Sequence, residues 1–572
     1  MDSQINFERN RLERFLRFEP RLATNGNLEV IVKYSGDITD IPNVTVEILN
    51  CNYAIITGKT SDIALLYSDP RIEYIELPKA MSYELTSGLN SSCITRVKQE
   101  PYFLTGKGTA IAIIDSGIDY TNEDFIDENG NSRIICAWDQ TTEGRHPIGF
   151  SFGAEYTNED FNFALRSDSP LSVLPFFDYS GHGTAVAGVA CGNGRQNGGR
   201  EQGVAPEAGI IAVKLGQNTD DDFAKSTQIM RALRYVNNKA REFMLPLAIN
   251  LSYGTNNGGH DGNSLFESFV DELSDEWKSV MCVATGNEAS SGHHFSAQIG
   301  DGDRIDIDFR ISTGRNRLYM TLWKNFADEM TFSLISPNGE ISLEMTQENR
   351  LYLFTLDGID ITVFFERPSS YSVSQEIYFL FEAQSGNIPD GLWQLFVSGK
   401  STVDGRIDAW LPTTENASEQ TAFLTPDPFT TLTLPSTAQN VISVGAYNSN
   451  DNTAASFSGR GYTRENVYVK PDIVAPGVNV LSVKRGGGYD VFTGTSISCP
   501  FVTGACALLL EWGIVRENDV FLYGQKIKAF LRKGAKRNDS SDYPDRRLGY
   551  GKLCLSATLN ELIRYNGGGS VL

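Results

Sequence analysis

Three side chains that together support acyl transfer occur in the order Asp115, His182 and Ser496, each within two residues of a glycine. A serine hydroxyl is inert until a base accepts its proton, and an imidazole base needs a carboxylate that fixes its tautomer and stabilises the imidazolium. We therefore predict that Ser496 is a nucleophile, His182 its general base and Asp115 the orienting carboxylate. Taken singly, each residue also has an ordinary structural interpretation. Ser496 could belong to a cap or turn, His182 could be a packed core histidine, and Asp115 could cap the next turn.

A fourth polar side chain, Asn287, completes the predicted chemistry. It follows an apolar stretch that ends at Ala284, and its amide is a candidate donor to the oxyanion of a tetrahedral intermediate. The second expected donor is the backbone N–H of Ser496, which lies at the mouth of a buried apolar helix whose free N–H groups favour a developing anion. Losing one such donor typically costs about 3 kcal/mol of transition-state stabilisation.

Alternating strands and helices must position these residues. The unbroken apolar run 110–114 predicts a strand buried on both faces, as in a parallel sheet, with Asp115 at its end. Further strands are predicted at 209–213, 248–251, 280–284 and 440–446, with helices at 226–241 and 264–277. This alternation favours an α/β fold with a doubly wound, mostly parallel sheet. Residues 119–176 are polar and irregular, and we expect surface loops there.

The chain is too long for one hydrophobic core, and its character changes along its length. Residues 1–83 predict a small α+β domain. Residues 295–430 carry short strands of alternating polarity separated by turn signals, which predicts an all-β sandwich or jelly roll. We therefore divide the chain into residues 1–83, the first part of a catalytic domain at 84–294, the inserted β domain at 295–430, and the second catalytic part at 431–572.

The glycine-flanked motifs together resemble those of the subtilisin-like serine proteases, in the segments Asp115-Ser116-Gly117, His182-Gly183-Thr184, Thr285-Gly286-Asn287-Glu288 and Gly494-Thr495-Ser496. The resemblance implies a serine endopeptidase with a polypeptide substrate. It also implies two facing walls of a substrate cleft, formed by Ser252, Tyr253 and Gly254 on one side and by Ala284, Thr285 and Gly286 on the other. Substrate backbone would add as a strand along the first wall.

Residues 1–83 resemble the subtilase propeptide, which in that family is an intramolecular chaperone and then a cleavable inhibitor. We expect autoprocessing near Tyr83 or Glu84, with Ser92 as the outer limit, because 82–92 is polar and predicted to be exposed. A propeptide-bearing subtilase with a jelly-roll insert resembles the clostridial Csp germination proteases. That resemblance implies a spore enzyme that activates a cortex-lytic zymogen.

Composition excludes several classes of partner. The 49 basic and 71 acidic residues give a net charge of −22, which repels nucleic acid and anionic membranes. No apolar run is expected to reach membrane-spanning length, and no signal peptide is visible, so a cytoplasmic or spore-associated location is expected. The eight cysteines lack CxxC pairs, which argues against zinc and against a disulfide framework and favours buried thiols.

No cofactor is required by the predicted chemistry, and no metal site is predicted. Calcium is possible but not supported, because the loop at 193–197 after the histidine helix carries an arginine and no carboxylate. His293 and His294 lack a third ligand at suitable spacing, so a polar loop is expected there rather than a metal site.

Two alternatives remain beside a serine endopeptidase. A catalytically silent subtilase-like scaffold or signalling protein would retain its propeptide in the cleft, and an esterase would use the same triad. Comparing the wild type with Ser496→Ala on a denaturing gel separates the active protease from the silent scaffold.

Overall fold

The computed structural model describes positions 9, 12, 23 and 24 and residues 27–48, 52–76, 85–216, 224–312, 314–367, 372–418, 420–465, 468–538 and 542–566. The chain divides into two compact units, Met1–Tyr83 and Glu84–Leu572. The expected processing positions Tyr83 and Glu84 lie outside the described residues.

The first unit is an antiparallel sheet with one described helix packed on it. Its strands run in the order β1-β2-β4-β3. Strand β5 also pairs with β2, beyond the two residues of β2 that pair with β1. Alternate residues of β2 and β4, together with the helix, supply a small apolar core. The elements are β1 Ala23–Thr24, β2 Asn27–Tyr34, β3 Thr45–Ile48, β4 Tyr53–Gly58, α1 Thr60–Leu66 and β5 Ile72–Glu76.

The second unit begins with the predicted alternation of strands and helices. Its elements are α2 Leu85–Ser91, β6 Ala110–Asp115, β7 Ile134–Asp139, β8 Ala154–Thr157, α3 Asn158–Leu165, α4 Pro170–Val173, α5 His182–Cys191, β9 Gly209–Lys214, α6 Ser226–Glu242, β10 Leu247–Leu251, α7 Leu265–Ser274 and β11 Ser279–Ala284. Short 3-10 turns lie at Glu123–Phe125 and Arg195–Asn197.

An all-β segment follows and forms two antiparallel sheets that enclose their own apolar core. One sheet has the order β12-β21-β14-β19-β18-β17 and the other β16-β15-β20-β13-β22. The strands are β12 His294–Gln298, β13 Arg304–Ile311, β14 Arg317–Asn325, β15 Glu329–Ile335, β16 Met345–Thr346, β17 Leu351–Leu356, β18 Ile359–Phe365, β19 Ser374–Ala383, β20 Gly391–Ser401, β21 Arg406–Trp410 and β22 Ala422–Phe423. This is the jelly-roll-like insert expected from the alternating polarity of the sequence.

The remaining elements return to the α/β core. They are β23 Ile442–Tyr447, β24 Ile473–Pro476, β25 Val480–Val483, β26 Tyr489–Phe492, α8 Thr495–Leu510, a π-helical turn Glu511–Val515, α9 Gly524–Lys533 and α10 Leu555–Asn566. Within the residues described, Thr495–Val515 is the one helical stretch long and apolar enough to cross a membrane, and its 18-residue apolar window is entirely buried in the protein. The expectation that no stretch reaches that length is therefore wrong, although this stretch is a core helix.

The central sheet has eight strands in the order β24-β23-β11-β10-β6-β9-β7-β8, and every neighbouring pair is parallel except β7 and β8. In β6, Ile111 and Ile113 face the core that contains α5 and α8, whereas Ala110, Ala112 and Ile114 face the core that contains α6. This two-sided burial accounts for the unbroken apolar run. The prediction of a doubly wound, mostly parallel sheet is confirmed.

Two local predictions are wrong. Residues 119–176 are not surface loops throughout, because they include β7, β8 and α3, and Trp138 in β7 is fully buried. Nor is 82–92 exposed throughout, since α2 packs on α8 so closely that a Cβ at Gly88 would lie 2.6 Å from the Phe501 ring. Ser92 is fully buried and its carbonyl accepts a hydrogen bond from Leu555 N, so it is a poor cleavage site in the folded chain.

The cysteines differ from expectation in one pair. Cys93 and Cys554 form a disulfide that joins the segment after α2 to the start of α10. This pair could not be predicted from the sequence, because the two residues are 461 positions apart. The other cysteines in the described part of the chain are buried free thiols, as expected: Cys136, Cys191, Cys282, Cys499 and Cys506.

Candidate active site

The predicted site residues meet at one edge of the central sheet. Asp115 ends β6, and the segments that begin at Ser252 and Thr285 follow the neighbouring strands β10 and β11. Because carboxyl ends of adjacent parallel strands lie side by side, three separate stretches of sequence share this edge. Helices α5 and α8 carry His182 and Ser496 in their first turns.

Asp115 and His182 are directly hydrogen-bonded. His182 Nδ1 donates to Asp115 Oδ1 over 2.8 Å, and the same oxygen accepts from the backbone N–H of Ser116. Asp115 is fully buried, while the imidazole is 38% exposed. A carboxylate fixed in this way holds Nδ1 as the protonated nitrogen and leaves Nε2 available as a base.

The close approach of α5 to β6 depends on a glycine. A Cβ at Gly183 would lie 2.1 Å from the Gly117 carbonyl oxygen and 3.0 Å from Asp115 Cβ. Any larger residue at this position would push the helix away from the strand. Gly183 is therefore required by the Asp115–His182 contact rather than by the chemistry itself.

Asp178 is a positioning residue that the sequence analysis missed. Its Oδ1 accepts hydrogen bonds from Ser116 Oγ (2.7 Å) and from Gly181 N (2.9 Å), and its Oδ2 accepts from Thr184 N (2.8 Å). The buried carboxylate thus joins the turn after Asp115 to the first turn of α5. Its location four residues before the histidine, where acidic side chains stabilise helix N-termini, is the sequence signal that points to it.

The electrostatic surroundings favour a charged imidazole. Burial lowers the pKa of His182, but the Asp115 charge and hydrogen bond act in the opposite direction and prevail, so the pKa rises from 6.5 to about 9. Asp178 and Glu415 add to the rise. Stabilisation of the imidazolium is what a general base needs while it holds the serine proton.

Ser496 lies at the start of α8, which is buried along its length apart from this residue. Its carbonyl accepts from Ser252 Oγ at 3.1 Å, and Ser252 Oγ accepts in turn from Asn250 Nδ2 at 2.9 Å. These bonds tie the nucleophile's backbone to β10 and to the first cleft wall. No hydrogen bond joins His182 to Ser496 in the part of the chain that the structure describes, a common state for such pairs without substrate.

Asn287 is held so that its amide nitrogen faces the Ser496 hydroxyl. Its Oδ1 accepts from Thr495 N at 3.0 Å and from Thr495 Oγ1 at 3.1 Å. A Cβ at Gly494 would lie 3.5 Å from Asn287 Nδ2 and 3.1 Å from Ser496 Oγ, so both atoms border the same small space. The Asn287 side chain can therefore donate to an oxyanion formed at Ser496.

The two predicted cleft walls face each other across Thr433. A Cβ at Gly254 would lie 2.2 Å from Thr433 Oγ1, and a Cβ at Gly286 would lie 2.4 Å from Thr433 Cγ2. Thr433 N donates to Thr285 O at 3.0 Å. Gly254 is exposed, whereas Thr433 is almost fully buried, so the threonine forms a floor between the walls. Sequence analysis did not identify it.

The two adjacent histidines do not form a polar loop, which corrects that prediction. His293 Nδ1 lies 2.8 Å from Glu288 Oε2, and His294 Nε2 lies 3.2 Å from Asp408 Oδ1. Both rings are buried, and His294 stacks on Trp410. They join the end of β11 to the insert, because β12 starts at His294. These polar side chains can be buried because each is paired with a buried carboxylate.

The family's calcium loop does not fit a metal here. Asp124 Oδ1 accepts from Gln196 N (3.0 Å) and its Oδ2 accepts from Tyr489 Oη (2.7 Å), so protein donors already satisfy both carboxylate oxygens. The Arg195 guanidinium donates to the neighbouring Asp127 carbonyl. Among the described residues, no three or more His, Cys, Asp or Glu side chains form a group able to hold a metal ion.

Comparisons with known proteins agree with this architecture. The Subtilase family profile matches residues 106–306 and 418–551, leaving out most of the insert, and the Csp protease B prodomain profile matches residues 5–79. The solved structure of the Clostridium perfringens CspB protease is 37% identical, with a TM-score of 0.78, and the match covers 85% of this chain and 98% of that one.

Curated relatives are more distant or shorter in overlap. The PIII-type proteinase of Lactococcus lactis subsp. cremoris (strain SK11) is 22% identical over 87% of this chain, which spans only 27% of the relative's length. Serine protease AprX of Bacillus subtilis (strain 168) is 33% identical over 20% of this chain and 28% of its own. Because the family profile covers more than half of the sequence, the chain belongs to the subtilase family, a family of serine endopeptidases.

Proposed function

We propose that the chain hydrolyses peptide bonds through an acyl-enzyme, with Ser496 as nucleophile, His182 as general base and Asp115 as the carboxylate that orients it. The observation that carries this proposal is the 2.8 Å hydrogen bond between Asp115 and His182 at the same sheet edge that receives Ser496 and Asn287. A buried carboxylate with a partly exposed imidazole is the arrangement required of a base that meets substrate.

In the first half-reaction, Ser496 Oγ attacks the scissile carbonyl carbon while His182 Nε2 takes the hydroxyl proton. The carbonyl oxygen becomes an oxyanion, which accepts hydrogen bonds from Asn287 Nδ2 and from the backbone N–H of Ser496. The imidazolium, stabilised by Asp115, then gives its proton to the amine as the C–N bond breaks. The products are an acyl-enzyme ester on Ser496 and a free amine.

In the second half-reaction, water attacks the ester carbonyl. His182 takes a proton from this water, the same two donors hold the oxyanion, and the proton passes to Ser496 Oγ as the acid product leaves. The chemistry consumes one water and needs no metal or cofactor. Asp178 touches none of the reacting atoms, and its part is to hold the first turn of α5 against the turn after Asp115.

The N-terminal unit is proposed to be a propeptide that the enzyme removes and that can inhibit the cleft. The match of residues 5–79 to the Csp protease B prodomain supports this role, and the compact unit that ends at Tyr83 is consistent with processing near Tyr83 or Glu84. The same match, with the likeness to the CspB protease, supports the further proposal that the physiological substrate is a spore cortex-lytic zymogen activated during germination.

Autoprocessing is the direct test of the catalytic proposal. Wild-type protein should run as two fragments on a denaturing gel, and Ser496→Ala as one full-length chain. Ser498→Ala is a matched control, because this serine lies in the same turn of α8, is fully buried, and should leave processing intact. A single full-length band for both wild type and Ser498→Ala would favour the alternative of a catalytically silent scaffold with a retained propeptide.

The germination proposal needs a separate experiment. Purified wild type and Ser496→Ala would be incubated with a spore cortex-lytic zymogen, and conversion to the shorter active form followed by mass and by lytic activity. Conversion by the wild type alone is expected. An active protease that cleaves other peptides but leaves the zymogen intact would contradict the substrate while leaving the proteolytic mechanism in place.

A further inference from the structure

The loop between β21 and β22 of the insert is fixed to both cleft walls. The carbonyl of Leu411 accepts from Asn256 Nδ2 at 3.1 Å, two residues beyond Gly254 of the first wall. Thr414 N and Oγ1 lie 3.3 Å from the Glu288 carboxylate, one residue beyond Asn287. The inserted domain therefore reaches the residues that continue from both sides of the cleft.

Local bonds make this loop a defined turn. Asn416 N and Ala417 N both donate to the Thr413 carbonyl, at 2.8 and 2.9 Å. Asn416 Nδ2 also donates to Thr413 Oγ1, and Ala417 is buried in the core of the insert. Glu415 lies within this turn and is exposed at its tip. The hydrogen-bonded residues before and after it therefore fix the position of its backbone.

The Glu415 carboxylate makes no hydrogen bond or ion pair within the residues described here. Its backbone carbonyl accepts from Arg315 Nη2 at 3.2 Å, which anchors the turn without using the side chain. Burial is the main cause that raises the pKa of Tyr253 in the first wall, and the charges of Asp115, Asp178 and Glu415 raise it further. At His182 burial lowers the pKa, and the same three charges raise it. Because Thr414 is bonded to Glu288 beside Asn287, the exposed Glu415 carboxylate adds negative charge to the side of the cleft next to the insert.

We propose that Glu415 is a specificity-determining residue, supplied by the inserted domain, that favours substrates with an arginine or lysine side chain close to the scissile bond. The proposal rests on the proteolytic function proposed above. An exposed carboxylate without a partner can accept a substrate cation at little desolvation cost, whereas a substrate carboxylate there would be repelled. The net charge of −22 would also draw basic segments toward the protein.

The expected effect is modest, because an exposed ion pair contributes little in water. Pairing of Glu415 with a substrate cation should raise kcat/KM about fivefold over an uncharged side chain at the same position. The preference should shrink as salt rises from about 0.05 to 0.5 M, since the charges are screened at separations beyond a few ångströms. Selection by shape alone would not respond to salt.

The test is a cleavage profile with a mixed peptide library, analysed by mass spectrometry. Wild type, Glu415→Gln, Glu415→Arg, Ser496→Ala and the control Glu348→Gln would be compared. Glu348 is an exposed acid of the same insert that lies between β16 and β17 rather than in the loop between β21 and β22. Enrichment of basic residues beside the cut should be present in wild type and Glu348→Gln, lost in Glu415→Gln, and replaced by enrichment of acidic residues in Glu415→Arg.

An unchanged profile in Glu415→Gln, with cleavage still absent in Ser496→Ala, would overturn the role of Glu415 while leaving the protease intact. A wild type that cleaves no peptide in a Ser496-dependent way would refute the proteolytic function, and this inference with it. Single-peptide kinetics on matched arginine, glutamine and glutamate substrates would give the ratios directly.

Discussion

Replacing Asn287 with alanine removes one of the two proposed oxyanion donors without disturbing the core. The side chain is exposed, and its amide contacts the start of α8 through Thr495 alone among the residues described. Because the donor acts mainly on the transition state, kcat should fall by about 10²–10³, or roughly 3 kcal/mol, while KM changes little. Autoprocessing should slow in the same proportion.

A second variant separates donation from orientation. Thr495→Val keeps the size of the side chain and the backbone bond to Asn287 Oδ1 but removes the 3.1 Å hydroxyl bond. One net hydrogen bond contributes about 1 kcal/mol, so kcat should fall about fivefold. Thr495→Ser restores the hydroxyl and should recover most of this loss.

The assay is steady-state hydrolysis of a fluorogenic peptide, with active-site titration and a thermal melt of each variant. The expected order of kcat is wild type, then Thr495→Ser, Thr495→Val and Asn287→Ala. If Asn287→Ala kept more than about a third of the wild-type kcat, the amide would not be an oxyanion donor. If the kcat of Thr495→Val were as low as that of Asn287→Ala, the threonine would have a further role besides orienting the amide.

Three further outcomes are expected. Only a neutral His182 accepts a proton, so kcat/KM should rise with pH through a midpoint near 9. Asp115→Asn should lower this midpoint, because burial, which lowers the pKa of the imidazole, is then opposed only by the weaker effects of Asp178 and Glu415, and it should lower the plateau by about 10⁴. An unmoved midpoint in a pH profile would assign it to another group. Thr433→Ala should deepen the space between the cleft walls. The ratio of kcat/KM for peptides with large side chains to kcat/KM for peptides with small ones should then rise about tenfold, as measured with paired substrates. The same ratio in wild type and variant would exclude Thr433 as the floor. Cys554→Ser removes the disulfide to Cys93 and should lower the free energy of unfolding by about 2–4 kcal/mol in denaturant titrations. Dithiothreitol should lower the stability of the wild type without lowering that of the variant. Equal sensitivity of both proteins to dithiothreitol would contradict the disulfide.

The proposed catalytic residues could be picked out of the sequence because each lies in a short motif whose local structure is encoded nearby. Asp115 ends a run of five apolar residues that can only be an interior strand, and Ser496 begins a helix with no polar face. Residues with structural rather than chemical roles were harder to find. Thr433 acts through contacts with segments that are distant in sequence. Asp178 bonds to the nearby first turn of α5, but its role depends on the distant Ser116, and neither residue type is unusual where it occurs.

The erroneous predictions share a cause. His293 and His294 are polar, and a polar pair suggests solvent, yet both are buried against carboxylates. Glu288 precedes His293 in the same segment, whereas Asp408, which pairs with His294, comes from a distant strand of the insert. Trp138 lies in a stretch of mixed polarity that pairs as a strand only because β9 is beside it. Burial of a polar group depends on its partner, and the partner is decided by the tertiary structure.

The sequence by itself determined the α/β class, the all-β insert and the four residues of the proposed chemistry, because strand burial, polarity alternation and glycine-flanked motifs are local properties. Only the tertiary structure decided how Thr495 turns the Asn287 amide toward Ser496, which cysteines pair, and where the insert touches the cleft. These features depend on contacts between residues far apart in the chain. Periodicity and composition carry no record of such contacts, because they describe each segment without its neighbours in space.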